Sequence, residues 1–348
     1  MDVALKIWRF DSTTGERELK TYEVDAPEWA CLLDVLDIIK DKVDGTLAYR
    51  KSCRMMICGS CGMRMDGKAV LACKERMKPI ADAGHVPVIS AMGNLPIIRD
   101  LVVDMGPFWS KIRAIKPYLQ PGYEEPPERE WVFDQEEMIP IHKEALCIMC
   151  GCCVSECNSM ESDPEFLGPA ALAKGFRFVG DPRDKADIER LNEYNQEHGI
   201  WDCTRCYFCN ERCPKGVDPR DAIAKLGAES IKHGVDHDGG AKHAKWFVHS
   251  AKTTGWLREE ELVPKTVGYV NALKEIGFAK NLVKHGKVRP IPFPHVAENV
   301  NEARALYNLV KEQGREGAAG IVQGEKALER IEFLKEEETR EPGPEQEE

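Results

Sequence analysis

No uninterrupted apolar run in the sequence approaches the roughly 18 residues that a bilayer-spanning helix needs, so any contact with a membrane is expected to go through another chain. An excess of basic residues is also missing. Lys and Arg total 48 against 59 Asp and Glu, and they are scattered, which excludes the electrostatic footprint of a nucleic-acid-binding protein. Neither a nucleophile-base motif nor a glycine-rich phosphate loop occurs, and the nine histidines follow no metal-ligand spacing. No catalytic residue is therefore assigned. The opening MDVALKIWRF carries an acidic residue at position 2 and alternates Val3, Leu5 and Ile7 with polar residues, the pattern of a strand and not of a secretory leader. A reducing compartment is the default.

Cysteine is what the sequence has in quantity. Fourteen in a long chain without a leader argue against a disulfide scaffold and for metal. Twelve of them fall into three sets of four. The first, Cys53, Cys58, Cys61 and Cys73, has the Cys-x-x-x-x-Cys-x-x-Cys spacing with a distant fourth member that plant-type proteins use for a 2Fe-2S cluster. Gly59 and Gly62 suit such a loop, because they permit positive φ and let N–H groups approach the sulfides. Met65-Asp66-Gly67-Lys68 reads as a hairpin turn, which places Cys73 at the end of the returning strand.

The second and third sets repeat the spacing Cys-x-x-Cys-x-x-Cys-x-x-x-Cys. In two-cluster ferredoxins the fourth cysteine of each run reaches across to the other cluster. The expected 4Fe-4S ligands are thus Cys147, Cys150, Cys153 and Cys213 for one cluster, and Cys157, Cys203, Cys206 and Cys209 for the other. Tetrahedral zinc needs two Cys pairs and gains nothing from the third and fourth cysteines of each run. Cys31 and Cys152 are left over. Cys31 precedes the apolar face Leu32, Val35, Leu36 and Ile39 of a helical pattern, and both cysteines are expected as core packing.

Size and pattern predict an α+β chain of several parts. Residues 1–105 are expected to form a β-grasp 2Fe-2S domain, with strands from VALKIWRF, LKTYEV and the Asp-Gly hairpin and a helix near residues 30 to 41. Residues 106–235 are expected as a helical two-cluster ferredoxin domain, 236–333 as a helical partner-docking extension, and 334–348 as an acidic disordered tail. Two helical patterns mark the extension, one around Val267, Val270, Leu273 and Ile276, the other around Val300, Ala303, Tyr307 and Val310. Between them Pro290, Pro292 and Pro294 favour an extended crossing.

One plant-type set followed by two bacterial-type sets resembles the iron-sulfur subunit of succinate dehydrogenases and fumarate reductases. The likeness runs from about residue 3 to about 230 and includes SCRMMICGSCG, PIIRDLVVDM, GPAALAKGFRFVGDPRD and CPKGVDPRDAI in the family's order. It implies a subunit that relays single electrons between a flavoprotein's FAD and a quinone-reactive or membrane-associated partner, with the 2Fe-2S cluster nearest the flavin. It also implies a role in respiration and the tricarboxylic acid cycle, and a peripheral position on the membrane, on the cytoplasmic face, held there by partner subunits. A thiol-dependent fumarate reductase or another flavin dehydrogenase would use the same wire, and a free-standing ferredoxin-like carrier is the remaining alternative.

Three features depart from the family's pattern. Most members lack a cysteine at the place of Cys206 and carry a 3Fe-4S cluster there, so Cys206 implies a second 4Fe-4S cluster, with 3Fe-4S as the alternative if its thiol stays unligated. Where quinone-reducing members carry a tryptophan segment and a histidine, this chain has Asn158-Ser159-Met160-Glu161 and Thr204, which argues against direct quinone binding. Finally, GWLREEELVPKT and KHGKVRP look similar to the tail of heterodisulfide reductase iron-sulfur subunits. That implies the so-called E type, in which a cysteine-rich, heterodisulfide-reductase-like subunit replaces the haem-bearing anchor.

Overall fold

The computed structural model describes residues 1–122, 128–132, 134–274, 276–287 and 296–312. The stretch with Pro290, Pro292 and Pro294 and the acidic segment 334–348 lie outside the described residues.

The alternation at the start of the chain builds β1 (Asp2–Phe10), which pairs antiparallel with β2 (Arg17–Asp25) along its whole length. A two-residue period puts Val3, Leu5 and Ile7 on one face. All three are buried, each contributing roughly 1.5–3 kcal/mol by transfer from water. Helix α1 (Leu32–Lys42) covers that face with Leu32, Leu33, Val35, Leu36 and Ile39. Cys31 packs against this core as expected, though only in part. It is half-buried at the N-cap, where its backbone N–H and its thiol both donate to Asp34 Oδ2 at 3.0 Å. A first helical turn has N–H groups with no intrahelical acceptor, and the residue before it is drawn into capping as well as toward the core.

The hairpin expected at Asp66-Gly67 joins β3 (Gly62–Met65) to β4 (Lys68–Leu71), with φ of 52° and 75° at the two turn residues. Positive φ at both is what a primed turn requires. Strand β5 (Val88–Ser90) runs parallel to β1 and antiparallel to β3 and completes a mixed sheet of order β2-β1-β5-β3-β4. A small pair, β6 (Ile97–Arg99) and β7 (Val102–Val103), follows. Cys73 sits two residues past β4, close to where the hairpin reading put it.

Beyond the sheet the described chain is helical: α2 (Gly106–Ala114), α3 (Cys152–Ser155), α4 (Gly168–Val179), α5 (Asp187–Tyr194) and α6 (Phe208–Glu211). Helix α4 buries Ala170, Ala171, Leu172, Ala173, Phe176 and Phe178, and its small residues let neighbouring loops come close. Arg190 on α5 is fully buried, paired with Asp184 at 2.9 Å, and donates to the carbonyls of Ile115, Lys116 and Tyr118. Every charge and carbonyl in that knot has a partner, as burial demands.

Sheet and cysteine-bearing helices form one compact unit, Met1–Leu226, and a second unit begins at Gly227, inside α7 (Pro219–Lys232). The second unit contains α8 (Gly239–Thr254), α9 (Glu259–Val267), α10 (Tyr269–Lys274), α11 (Ile276–Lys284) and α12 (Val300–Glu312). The periodic residues Val267, Val270, Leu273 and Ile276 do lie on helices, but they are exposed, Val270 by 77% and Leu273 by 64%. Gly268 at φ 86° breaks the run between α9 and α10. No described helix is long and apolar enough to cross a membrane.

Candidate metal centres

The first cysteine set forms a loop in which Arg54, Met56 and Gly59 have φ of 59°, 60° and 70°. Such left-handed turns swing successive N–H groups inward, as in an anion-binding nest. Here they point at sulfur. Met55, Ile57 and Cys58 donate to Cys53 Sγ at 3.4, 3.3 and 3.2 Å, and Ser60 donates to Cys58 Sγ at 3.5 Å. Cys73 arrives beside Cys61, held by the bond from Ala72 N–H to the Cys61 carbonyl at 3.0 Å. Burial pushes the Cys61 thiol up to about 12, and the neighbouring Cys73 and Cys58 sulfurs add to the rise. At Cys58 burial acts in the same direction, but hydrogen bonds from Ser60 and Cys53 bring the thiol down to about 6.

Gly59 and Gly62 do more than turn the loop. A Cβ on Gly59 would stand 2.8 Å from Cys150 Cα and 2.9 Å from its Cβ, and one on Gly62 would stand 3.2 Å from the Cys150 carbonyl oxygen. The first loop therefore lies directly on the second set. Gly62 starts β3 without a positive φ, so of the two only Gly59 needs glycine for its backbone conformation.

A polar clamp fixes the same contact from the side. Arg64 on β3 pairs with Glu156 at 2.7 Å and donates to the Ser155 carbonyl at 2.6 Å. Gly93 N–H donates to Ser155 Oγ, and Asn94 Nδ2 donates to the carbonyls of Val154 and Cys157 at 2.8 and 2.9 Å. All four donors converge on α3, the helix that carries Cys152 and Cys153, and on the two residues that follow it. No local pattern in the sequence points to this clamp.

The cysteines of the second and third sets line two cavities. One is bounded by Cys147, Cys150, Cys153 and Cys213 together with Ala170 and Ala173 of α4. The other is bounded by Cys157, Cys203, Cys206 and Cys209 together with Ser159, Tyr207 and Arg220. These are the two crossed groups that the spacing predicts. The backbone also repeats. Met149 and Gly151, two and four residues after Cys147, have φ of 57° and 80°, and Arg205 and Tyr207, two and four after Cys203, have φ of 56° and 68°. Cys206 thus occupies in its turn the place that Cys150 occupies in the other.

The chemistry of both donor sets fits an iron-sulfur cluster. Burial raises the thiols of Cys147, Cys153, Cys157, Cys203 and Cys209, the last to about 12, and each is raised further by other sulfurs of its cavity. Buried thiols crowded in this way ionise together only when a cation neutralises them. Two features tune the first cavity. The fully buried Cys152 thiol hydrogen-bonds the Cys150 sulfur and brings Cys150 down to about 7, and burial lowers Lys174 against the opposing pull of Cys147. Cys152 is thereby the packed residue expected, with a hydrogen bond besides.

The second cavity is stitched across its two segments. Thr204 N–H donates to Ser159 Oγ at 3.1 Å, and His198 Nδ1 meets Asp163 at 2.7 Å. That contact with Asp163 raises the His198 pKa. The stabilisation is fully present below the ordinary imidazole range and is lost as pH rises through the raised value. An NMR titration is expected to place His198 above the usual histidine midpoint, and Asp163→Asn to return it toward about 6.5. An unchanged midpoint in the variant would show that the pair does not form in solution.

Comparison with known proteins gives the following. Residues 4–110 match the family model of a 2Fe-2S iron-sulfur cluster binding domain, and residues 145–217 match that of a 4Fe-4S dicluster domain. The chain is 41% identical over 229 residues to the fumarate reductase iron-sulfur subunit of Haemophilus influenzae, covering 62% of this chain and 88% of that one. It is 34% identical over 288 residues to the 8-methylmenaquinol:fumarate reductase iron-sulfur subunit of Wolinella succinogenes, covering 81% and 90%. Similarity to the succinate dehydrogenase iron-sulfur subunit of Coxiella burnetii is 33% over 234 residues, covering 66% and 97%. Among solved structures, a chain of the Mycobacterium smegmatis Sdh1 complex in the apo form superposes with a TM-score of 0.62 at 26% identity, covering 68% of this chain and 98% of that one.

Proposed function

Because the chain belongs to the family of iron-sulfur subunits of fumarate reductases and succinate dehydrogenases, we propose a ligand set and a partner for each end of its electron relay. Its function is single-electron transfer as the iron-sulfur subunit of such an oxidoreductase, working with a flavoprotein and a membrane-anchor partner. When bound, the clusters supply one-electron redox chemistry. In this reading Cys53, Cys58, Cys61 and Cys73 hold a 2Fe-2S cluster. Cys147, Cys150, Cys153 and Cys213 hold a 4Fe-4S cluster, and Cys157, Cys203, Cys206 and Cys209 hold a second. The repeated backbone around Cys150 and Cys206 is the observation that carries the last assignment.

The residues around the sulfurs hold three centres close together and set their potentials. Gly59 and Gly62 admit the first loop against Cys150, Arg64 and Asn94 lock α3 in register, and N–H donors to Cys53 and Cys58 favour the more negative, reduced state. At the first loop Met55 and Ile57 are 69% and 57% exposed around Cys53, an apolar rim suited to the FAD-bearing flavoprotein. At the other end Thr204, Arg205, Tyr207 and Phe208 are exposed beside the second cavity and form the exit face.

For the exit partner we favour a cysteine-rich, heterodisulfide-reductase-like subunit of the E type over a haem-bearing anchor. What supports it is the absence of the quinone-site residues at 158–161 and 204 together with an added helical unit. Exposed Phe247 and Val248 on α8 and Leu306 and Leu309 on α12 give that unit a docking face. On this reading the complex sits at the membrane's cytoplasmic face. Purification of the tagged full chain from its native cells tests the proposal. The expected result is a flavoprotein and a cysteine-rich subunit in stoichiometric amounts, and recovery of a haem-bearing anchor in place of the cysteine-rich chain overturns it.

A further inference from the structure

The second unit leaves a strongly amphipathic helix uncovered. On α11, Ile276, Phe278, Ala279, Leu282 and Val283 share one arc of the helix, and Lys280, Asn281 and Lys284 share the other. Only Leu282 is partly covered. Phe278 is 64% exposed and Ile276 49%, and on the preceding α10 Tyr269 is 65% and Val270 77% exposed. Residues 269–287 hold four lysines against one glutamate in a chain whose net charge is −11. The charge of this segment is therefore opposite to that of the whole, and it is concentrated beside an apolar arc. An α-helix of nine residues cannot cross a bilayer, but one with this division of faces lies in the headgroup region.

We propose that α11, with the exposed end of α10 and Lys287, lies on an anionic phospholipid surface, so that this chain touches the membrane directly. The apolar arc enters the boundary between headgroups and acyl chains, and the lysine stems extend along it to bring their ammonium groups to lipid phosphates. Charge decides for lipid over a neutral apolar groove, because an anionic surface attracts the segment's excess of lysine and a neutral groove does not. This goes beyond the relay reading and does not depend on it.

The test uses the full chain, purified with its clusters and without partner subunits, in sedimentation with vesicles of phosphatidylcholine alone or with 30% phosphatidylglycerol, at roughly 50 mM and 500 mM salt. The expected result is binding to the anionic vesicles alone, weakened by salt. Lys280→Gln with Lys284→Gln is expected to lower the partition constant about 30-fold, at about 1 kcal/mol per lysine. Phe278→Ser is expected to lower it as well, and neither variant should alter the visible absorption of the clusters, since neither side chain is buried. Equal sedimentation with both vesicles, no sedimentation, unaffected variants, or lysine-dependent capture of an acidic protein by a chain that ignores vesicles each overturns the proposal.

Discussion

Cys206→Ala is expected to lower the iron content of anaerobically purified protein from about ten atoms per chain to about nine, leaving the 2Fe-2S and first 4Fe-4S signals intact. The reason lies in the two repeated turns. Cys150 and Cys206 stand at the same place between residues of the same left-handed conformation, and each lines its cavity with three other cysteines. Removing one thiolate from the second cavity leaves one iron without a protein ligand. The oxidised variant should then show the EPR signal of a 3Fe-4S centre, and its potential should rise, because a negatively charged ligand has gone. Cys152→Ala is the control. Its sulfur packs in the core and touches Cys150 without lining either cavity, so the iron count should hold while the first 4Fe-4S potential shifts with the lost hydrogen bond. Nine irons in the unaltered protein, or ten in Cys206→Ala, would sink the assignment of Cys206 as a ligand.

Gly59→Ala is expected to cost about 2–5 kcal/mol of stability in the first unit, the sum of a left-handed φ on a residue with a side chain and an overpacked contact. At φ 70° the new methyl would meet the backbone of Cys150, which cannot swing aside as the tip of a flexible side chain could. Something must move apart, and what moves is the first cysteine loop relative to the second set. Turnover of the assembled complex should fall with it. Gly67→Ala separates the two causes. It has a φ of 75° but open space around it, so only the conformational part remains, about 1–2 kcal/mol, and turnover should persist. Denaturant titrations of both variants, read beside their succinate or fumarate turnover, check this. Equal losses in the two would mean that the contact with Cys150 has no energetic weight.

The sequence made the first domain legible because its signals are local. The two-residue alternation at Val3, Leu5 and Ile7, the helical face from Leu32 to Ile39 and the Asp66-Gly67 turn each depend on residues a few positions apart, and each forms as read. Cys31 packs against the core only in part, because it stands at a helix boundary, where capping competes with packing and the periodic pattern is silent. In the second unit the periodicity around Val267 to Ile276 correctly gave helix but not burial. Periodicity records which face is apolar and not what covers it.

Chain order alone determined which cysteines belong together, since three sets of spacings admit few ways of wrapping a cluster and the crossed grouping follows from a single rule. Only the tertiary structure decided how the sets meet. Gly59 against Cys150, Asn94 against the carbonyls of Val154 and Cys157, and Arg64 against Glu156 join residues 60 to 92 positions apart. No local pattern encodes such pairs. They exist because the sheet and the cysteine-bearing helices bury one another's surfaces, and it is that burial which brings the first cysteine set against the second.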